Sequence, residues 1–130
     1  MDRRSQFGKK SLKEIFSLLQ YDKSEKFLVK LNNEEFLVYF SAITETELIA
    51  GNECNKFEIK TRILDFLSNF TKVPVDNQIA VKAGDFRRIY GIRIPDAIIA
   101  ATAYILKATL ITRNAKDFEK IKEITIKIPY

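Results

Sequence analysis

Carboxylates are the residues of this chain with the clearest capacity for chemistry, because histidine and cysteine are almost absent. The sequence contains no histidine and a single cysteine, Cys54. These counts exclude a Ser-His-Asp or Cys-His nucleophile system, a histidine metal site and an intramolecular disulfide. Chemistry must then rely on carboxylates, hydroxyls, amides and Lys or Arg side chains. Grouped carboxylates favour a hard, oxygen-binding metal ion such as Mg²⁺ or Mn²⁺.

Three carboxylates stand where predicted secondary-structure elements meet. Glu47 follows an apolar run at 36–43, Asp96 begins an apolar helix, and Asp117 follows a β-rich run at 108–112. In a parallel sheet such junctions converge at the carboxyl edge, where functional residues gather. Clustered carboxylates repel one another and are stable mainly when a divalent cation neutralises them. The positions therefore indicate a metal site made of these three residues.

Each carboxylate also has a simpler structural explanation when it is taken alone. Glu47 has the spacing of a capping box with Thr44. Asp96, directly after Pro95, opposes the helix dipole in a first helical turn. Asp117 lies in a short polar stretch, where a solvent-exposed Asp is the ordinary case. Both explanations stay open at this level.

The elements that must position these residues follow from hydrophobic periodicity, which alternates between helical and strand spacing. Strands separated by helices predict an α/β fold with a parallel sheet and helices on both faces. Ser24 is expected to cap a helix that buries Phe27, Leu28 and Leu31. The later predicted helices cover 44–51, 59–70, 76–91, the segment from Asp96 and 116–121, and the predicted strands cover 36–43, 72–75, 108–112 and 124–128.

Length and charge set the broad class of the protein. A chain of 130 residues favours one domain over 1–130. Its 22 Lys and Arg against 17 Asp and Glu give a net charge of +5, which favours a polyanionic partner, with ordinary solubility as the alternative. No apolar run approaches the roughly 20 residues of a membrane span, and the start lacks the apolar centre of a signal peptide. We therefore expect a cytoplasmic protein without a membrane partner.

Three segments carry a resemblance to a known family: "SAITETELIAG" (41–51), "VPVDNQIAVKAGDFRRIYGIRIPDAIIAATA" (73–103) and "ATLITRNAKDFEKI" (108–121). They resemble the PIN domain, most closely the VapC-like toxins of toxin–antitoxin pairs, over roughly 21–130. The resemblance implies a three-layer α/β sandwich with a mostly parallel central sheet. It also implies a homodimer, a cognate antitoxin protein, and endoribonuclease activity that depends on Mg²⁺ or Mn²⁺.

The resemblance assigns roles to individual residues. Glu47, Asp96 and Asp117 match three of the family's four acidic positions and would hold metal ions for hydrolysis of RNA phosphodiester bonds. Asn114 stands at a neighbouring position that family members often fill with Asp or Asn. The hydroxyls of Thr44 and Thr112 would orient the ligands. Four arginines are candidates for RNA phosphate contacts, with plain surface charge as the alternative: Arg87, Arg88, Arg93 and Arg113.

The chain departs from the family at its start. Family members begin with a strand that ends in a metal-binding Asp, usually within "LDTN" or "LDSN", and residues 1–20 lack this motif. Neither Asp2 nor Asp22 follows an apolar strand, and 12–19 is apolar enough to form a helix. A degenerate copy, an altered start and a rearranged N-terminus all explain the departure.

The missing Asp leaves more than one function open. A lost ligand is expected to weaken or abolish metal binding. The main hypothesis is a VapC-type ribonuclease whose activity is reduced or absent, and the second is a non-cleaving PIN-like module that binds an antitoxin or nucleic acid. A third alternative is a domain whose carboxylates only cap helices.

Overall fold

The computed structural model describes residues 26–128, which form a sheet with helices on both faces. From one edge of the sheet to the other, the strands lie in the order third, second, first, fourth and fifth, numbered by their position in the chain. The first strand runs antiparallel to both of its neighbours, and the two outer pairs are parallel. Four strands therefore share one direction, which confirms the predicted α/β fold and mostly parallel sheet. The strands are β1 (Phe27–Asn32), β2 (Glu35–Ser41), β3 (Thr71–Val73), β4 (Thr109–Ile111) and β5 (Thr125–Lys127).

The helices connect the strands in the expected alternation. The helix at 57–67, together with Leu48, packs against one face of the sheet, and a larger helical layer covers the other face. Within residues 26–128 no single helix is long and apolar enough to span a membrane. The helices Asn77–Tyr90 and Ile94–Leu106 together have the length and apolar composition of a membrane span, but they are bent by 119° at their junction. The helices are α1 (Ala42–Ile49), α2 (Phe57–Leu67), α3 (Asn77–Tyr90), α4 (Ile94–Leu106) and α5 (Ala115–Phe118), with a 3₁₀ helix at Asn52–Asn55.

The segment 27–32 is a strand, so the predicted helix that buries Phe27, Leu28 and Leu31 is wrong. Phe27, Leu28 and Val29 are buried in succession, whereas Leu31 is 59% exposed. Leu28 packs with α3 and α4 on one face, while Phe27 and Val29 pack on the opposite face. Successive side chains of a strand point to opposite faces, and a strand buried on both faces is a continuous apolar run. This segment occupies the central position of the sheet. The predicted cap Ser24 and the predicted helix at 12–19 lie outside the described residues.

A tight hairpin sets the direction of β1. Asn32 pairs with Glu35 across the β1–β2 ladder, which leaves a two-residue turn at Asn33 and Glu34. Both turn residues have left-handed backbone, with φ of 51° and 68°. Two-residue hairpin turns of this hand match the twist of the flanking strands. The hairpin therefore returns the chain directly, and β1 runs opposite to β2.

Local signals set the ends of the helices on which the site depends. The side chain of Asp76 accepts a hydrogen bond of 2.9 Å from the amide of Ile79, and Gly91 ends α3 with a φ of 70°. Both features confirm the predicted boundaries. The predicted capping box is wrong, because Ser41 caps α1 by accepting from the amide of Ile43 at 3.2 Å. Thr44 lies inside that helix and is buried.

The two faces of the sheet have cores of different composition. The face under α3 and α4 contains Phe86 and the small side chains of α4, including Ala100 and Ala101, all buried. These alanines allow α4 to pack closely on the sheet. On the other face the ring of Phe27 makes edge contacts with Phe66 and Phe70, at centroid distances of 6.2 and 5.5 Å. Such aromatic contacts add specific geometry to the apolar burial.

Candidate functional site

The reversed direction of β1 determines which residue of that strand reaches the acidic edge of the sheet. Phe27 is paired with Ile111 near the end of β4, and Leu28 is paired with Tyr39 near the end of β2. The beginning of β1 therefore lies beside the carboxyl ends of its neighbours. Lys26, which directly precedes β1, is brought to the edge where the predicted carboxylates gather.

Lys26 forms ion pairs with two of the three predicted carboxylates. Its Nζ lies 3.0 Å from Oδ1 of Asp96 and 3.6 Å from Oε1 of Glu47. The Lys26 side chain is 18% exposed, that of Asp96 3% and that of Glu47 35%. The pair with Asp96 is thus nearly removed from solvent, whereas Glu47 keeps contact with water. Glu47 and Asp96 therefore contact the same ammonium group.

Asp96 is held rigidly at the start of α4. It lies in the first turn behind Pro95, where an acidic residue is favoured by the helix dipole. Its second oxygen, Oδ2, accepts a long hydrogen bond of 3.5 Å from Nε of Arg93. Each carboxylate oxygen of Asp96 therefore has its own cationic partner. The buried charge is compensated on both sides.

Asp117 lines the same cleft as Asp96 and is not one of the carboxylates paired with Lys26. A cavity of about 300 Å³ is lined by Asp96 and Asp117, and Glu47 does not line it. Three basic side chains share this wall, so the cleft carries charges of both signs. They are Arg93, Lys116 and Lys120.

The residues predicted to orient the acids have distinct environments. The hydroxyl of Thr112, itself buried, accepts a 3.0 Å hydrogen bond from the amide of Asn114. Asn114 precedes α5 and is exposed, so this turn leads the chain from β4 to Asp117. The Thr44 hydroxyl is buried without a hydrogen-bond partner among the described residues. Thr44 lies three residues before Glu47 on α1, and residues at this spacing share a helix face.

Two of the predicted phosphate-binding arginines make contacts that stabilise local structure. Nη1 of Arg87 donates to the carbonyl oxygens of Gly91 and Ile92, at 3.2 and 2.9 Å, and so closes the end of α3. Nη2 of Arg88 pairs with Asp85 at 2.9 Å. Of the four arginines, Arg93 alone lines the cleft, while Arg113 is exposed just after β4. Phosphate binding by any of these arginines stays a prediction.

The carboxylates do not fit a divalent metal ion in this arrangement. Within residues 26–128 no three Asp, Glu, Cys or His side chains are grouped so as to hold one. Asp117 lines a cleft that Glu47 does not line, and the ammonium group of Lys26 contacts both Glu47 and Asp96. An ammonium group at this position repels a divalent cation. The predicted three-carboxylate metal cluster is therefore not formed by the described residues.

Sequence reasoning missed three basic residues at this edge: Lys26, Lys116 and Lys120. Lys26 escapes notice because the sequence predicts a helix, capped by Ser24, that buries Phe27, Leu28 and Leu31. The signal that points to a hairpin is the pair Asn32–Asn33 between two β-rich runs, since Asn tolerates left-handed turn backbone. For Lys116 and Lys120 the signal is their spacing around Asp117 on one short polar segment.

A second cavity lies away from the predicted site residues. It measures about 420 Å³ and is bordered by the end of α4 and the starts of β4 and β5. Glu123 lines it and accepts a hydrogen bond from the Tyr90 hydroxyl. This hydrogen bond and the nearby carboxylate charge raise the pKa of Tyr90 above its usual value. None of the predicted site residues lines this cavity.

Comparisons with known proteins agree with this architecture. A toxin–antitoxin complex from Klebsiella pneumoniae contains a similar chain, 36% identical, with 69% of this chain and 72% of that chain covered and a TM-score of 0.60. VapBC-1 from nontypeable Haemophilus influenzae is 29% identical, with 68% and 72% covered and a TM-score of 0.59. DNA-bound VapBC from Salmonella typhimurium is 21% identical, with 71% of this chain and 75% of that chain covered and a TM-score of 0.60. At this identity the similarity supports the fold alone. No curated protein sequence matches the chain.

The family comparison covers most of the chain. The PIN domain family matches residues 15–124, which include all of the predicted acidic positions. The resemblance identified from three sequence segments is thereby confirmed. The chain belongs to the PIN domain family, and its similarity to VapBC complexes identifies it as a VapC-like member.

Proposed function

We propose that this chain is a VapC-like PIN domain that binds an antitoxin protein and does not hydrolyse RNA through a metal centre. The observation that carries the proposal is the pairing of Lys26 with Asp96 and Glu47. Asp96 and Glu47, which would bind a metal cation, are already paired with the ammonium group of Lys26 from the same chain. Binding of a partner needs no metal ion at this position.

An antitoxin partner is supported by the kind of surface beside Asp96. The cleft there is lined by Asp117 and by three basic side chains. It can therefore pair with a partner surface that carries both acidic and basic side chains. A separate, apolar surface lies on α2, on the opposite face of the sheet from α4, where Phe57 is 77% exposed and Leu64 is 41% exposed. These residues are seven apart and share one helix face, which an amphipathic helix of a partner can cover. The similar chain from Klebsiella pneumoniae comes from a toxin–antitoxin complex, and the one from Haemophilus influenzae comes from VapBC-1.

Co-expression with the product of each small reading frame found next to this gene tests the binding function. We expect a stable complex, measured by size-exclusion chromatography with light scattering and by calorimetry. Asp117→Lys is expected to weaken it about tenfold, equivalent to ~1.4 kcal/mol, because the substitution reverses a charge in the cleft. Glu119→Lys is the matched control, since Glu119 is exposed on the same segment and does not line the cleft. Absence of a complex, or equal weakening by both substitutions, contradicts the assignment.

The second candidate function is the Mg²⁺- or Mn²⁺-dependent endoribonuclease activity that the family resemblance implies. One observation favours it: Asp96 and Asp117 share a cleft with Arg93, Lys116 and Lys120, and basic side chains bind RNA phosphates. The two candidates differ in a direct assay of RNA cleavage. Our proposal predicts no cleavage above the buffer blank with either metal ion, for wild type and for Asp96→Asn alike. Cleavage by wild type that is lost in Asp96→Asn establishes the second candidate.

A homodimer is part of the same proposal. Its support is the family resemblance together with exposed apolar side chains on α3, where Val81 and Ile89 are 60% and 61% exposed and share one face. Light scattering of the purified full chain gives the molar mass directly. A mass of two chains is expected, and a mass of one chain at micromolar concentration contradicts it.

A further inference from the structure

The cation position of the acidic site is filled by a residue of this chain. Nζ of Lys26 lies within 3.6 Å of oxygens from both Asp96 and Glu47. A divalent ion bound by the same oxygens would lie about 2.0 to 2.6 Å from each of them. Ammonium group and metal ion therefore compete for one small volume. Their like charges make joint occupancy unfavourable.

Charge compensation at Asp96 is complete without a metal ion. Oδ1 is paired with Lys26 and Oδ2 with Arg93. Arg93 is 71% exposed and can move into solvent, whereas Lys26 is 18% exposed and is held at the start of β1. Lys26 is therefore the partner that the fold imposes on the buried carboxylate.

The backbone leaves Lys26 little freedom to withdraw. The residue after it, Phe27, is 1% exposed, pairs with Ile111 in the ladder and packs against the rings of Phe66 and Phe70. Only the side chain of Lys26 can move without disturbing the central strand. Its substitution thus changes the charge at the site while the path of the backbone is preserved.

One buried hydroxyl lies on the same helix as Glu47. The hydroxyl of Thr44 makes no hydrogen bond among the described residues, and it lies one helical turn from Glu47. Buried hydroxyls are normally satisfied by protein groups or by water. Thr44 therefore carries a buried oxygen, on the same helix as Glu47, that no described group satisfies.

We propose that Lys26 is a built-in counter-cation that takes the place of a divalent metal ion, and that Lys26→Asp creates a metal site with Glu47 and Asp96. The substitution removes the competing positive charge and adds a third carboxylate at the same point. Hard divalent ions bind preferentially to such oxygen groups. The inference shares the Lys26 geometry with the proposed function but does not depend on antitoxin binding.

Direct metal binding tests the inference. Mn²⁺ is titrated into the full chain by calorimetry and by electron paramagnetic resonance, with Lys30→Asp as the matched control. Lys30 is exposed on the same strand, and its substitution alters net charge equally. Groups around a metal site change its affinity by about 10- to 100-fold, so we expect Lys26→Asp to bind Mn²⁺ at least about tenfold more tightly than wild type or Lys30→Asp. Adding Glu47→Gln to Lys26→Asp should remove this gain.

The inference is overturned if folded Lys26→Asp binds Mn²⁺ no more tightly than wild type does, whether both proteins bind the ion or neither does. If Lys26→Asp does not fold, Lys26→Gln is used with melting temperature as the readout. Mn²⁺ should then raise the melting temperature of Lys26→Gln and leave wild type unchanged, and no rise counts against the inference. Failure of antitoxin binding in co-expression leaves these metal titrations unaffected.

Discussion

Val29→Asp is expected to unfold the protein, whereas Leu31→Asp leaves it folded. Val29 is 4% exposed in the centre of the sheet, among Phe27, Val38 and Phe40. Desolvation of an isolated carboxylate at this position lowers the free energy of unfolding by several kcal/mol. The whole free energy of unfolding of a typical domain is about 5 to 15 kcal/mol. Leu31 is 59% exposed, and surface substitutions change stability by about 0.5 kcal/mol or less. Circular dichroism during thermal and urea unfolding measures both effects.

The same pair of variants separates the observed strand from the helix predicted by periodicity. In that helix the buried residues would be Phe27, Leu28 and Leu31, and Val29 would lie off the buried stripe. A helical segment therefore predicts the opposite ranking of the two substitutions. Unfolding by Leu31→Asp with a folded Val29→Asp would show that the central strand is assigned wrongly.

Lys26→Ala is expected to lower the free energy of unfolding by about 3 kcal/mol. Removing one partner of a buried ion pair costs about 3 to 5 kcal/mol because the other charge is left without compensation. Asp96 is 3% exposed but keeps Arg93, which places the loss at the lower end of that range. Lys30→Ala is the control, because Lys30 is exposed on the same strand. Urea titration at neutral pH gives the difference between the two variants.

A double-mutant cycle assigns this loss to the pair. In Lys26→Ala combined with Asp96→Asn, neither charge remains, so the double variant should be more stable than the sum of the single losses predicts. Glu47→Gln should have a much smaller effect, because its contact with Lys26 is 3.6 Å long and its side chain is 35% exposed. Strict additivity of Lys26→Ala and Asp96→Asn would mean that the ion pair contributes nothing to folding.

Much of the scaffold around the site was predictable because its signals are local. Asp76 and Gly91 mark the ends of α3 through a side-chain cap and a left-handed backbone. Pro95 and Asp96 mark the first turn of α4, and the apolar run at 36–43 overlaps most of β2. Each feature depends on residues within a few positions of one another, so no knowledge of the remaining chain was needed. The family resemblance rested on these same segments.

The capping box at Thr44 shows where local signals compete. Ser41, Thr44 and Glu47 all carry groups suited to the start of a helix, and the spacing alone favoured Thr44. The structure begins α1 at Ala42 because β2 ends at Ser41, whose hydroxyl is placed to accept from Ile43. The end of the strand, set by sheet pairing, decided between two chemically reasonable caps.

The sequence by itself determined the α/β class, the helices that carry the carboxylates and the identity of those carboxylates. The tertiary structure decided the direction of the central strand, and with it the presence of Lys26 between Glu47 and Asp96. It also decided that Asp117 meets Asp96 across a separate cleft. The physical reason is that 27–32 has side chains suited to burial as a helix or a strand. This segment pairs along one edge with β2 and along the other with β4, two strands that are far apart in the sequence. That pairing selects the strand over the helix and sets its direction.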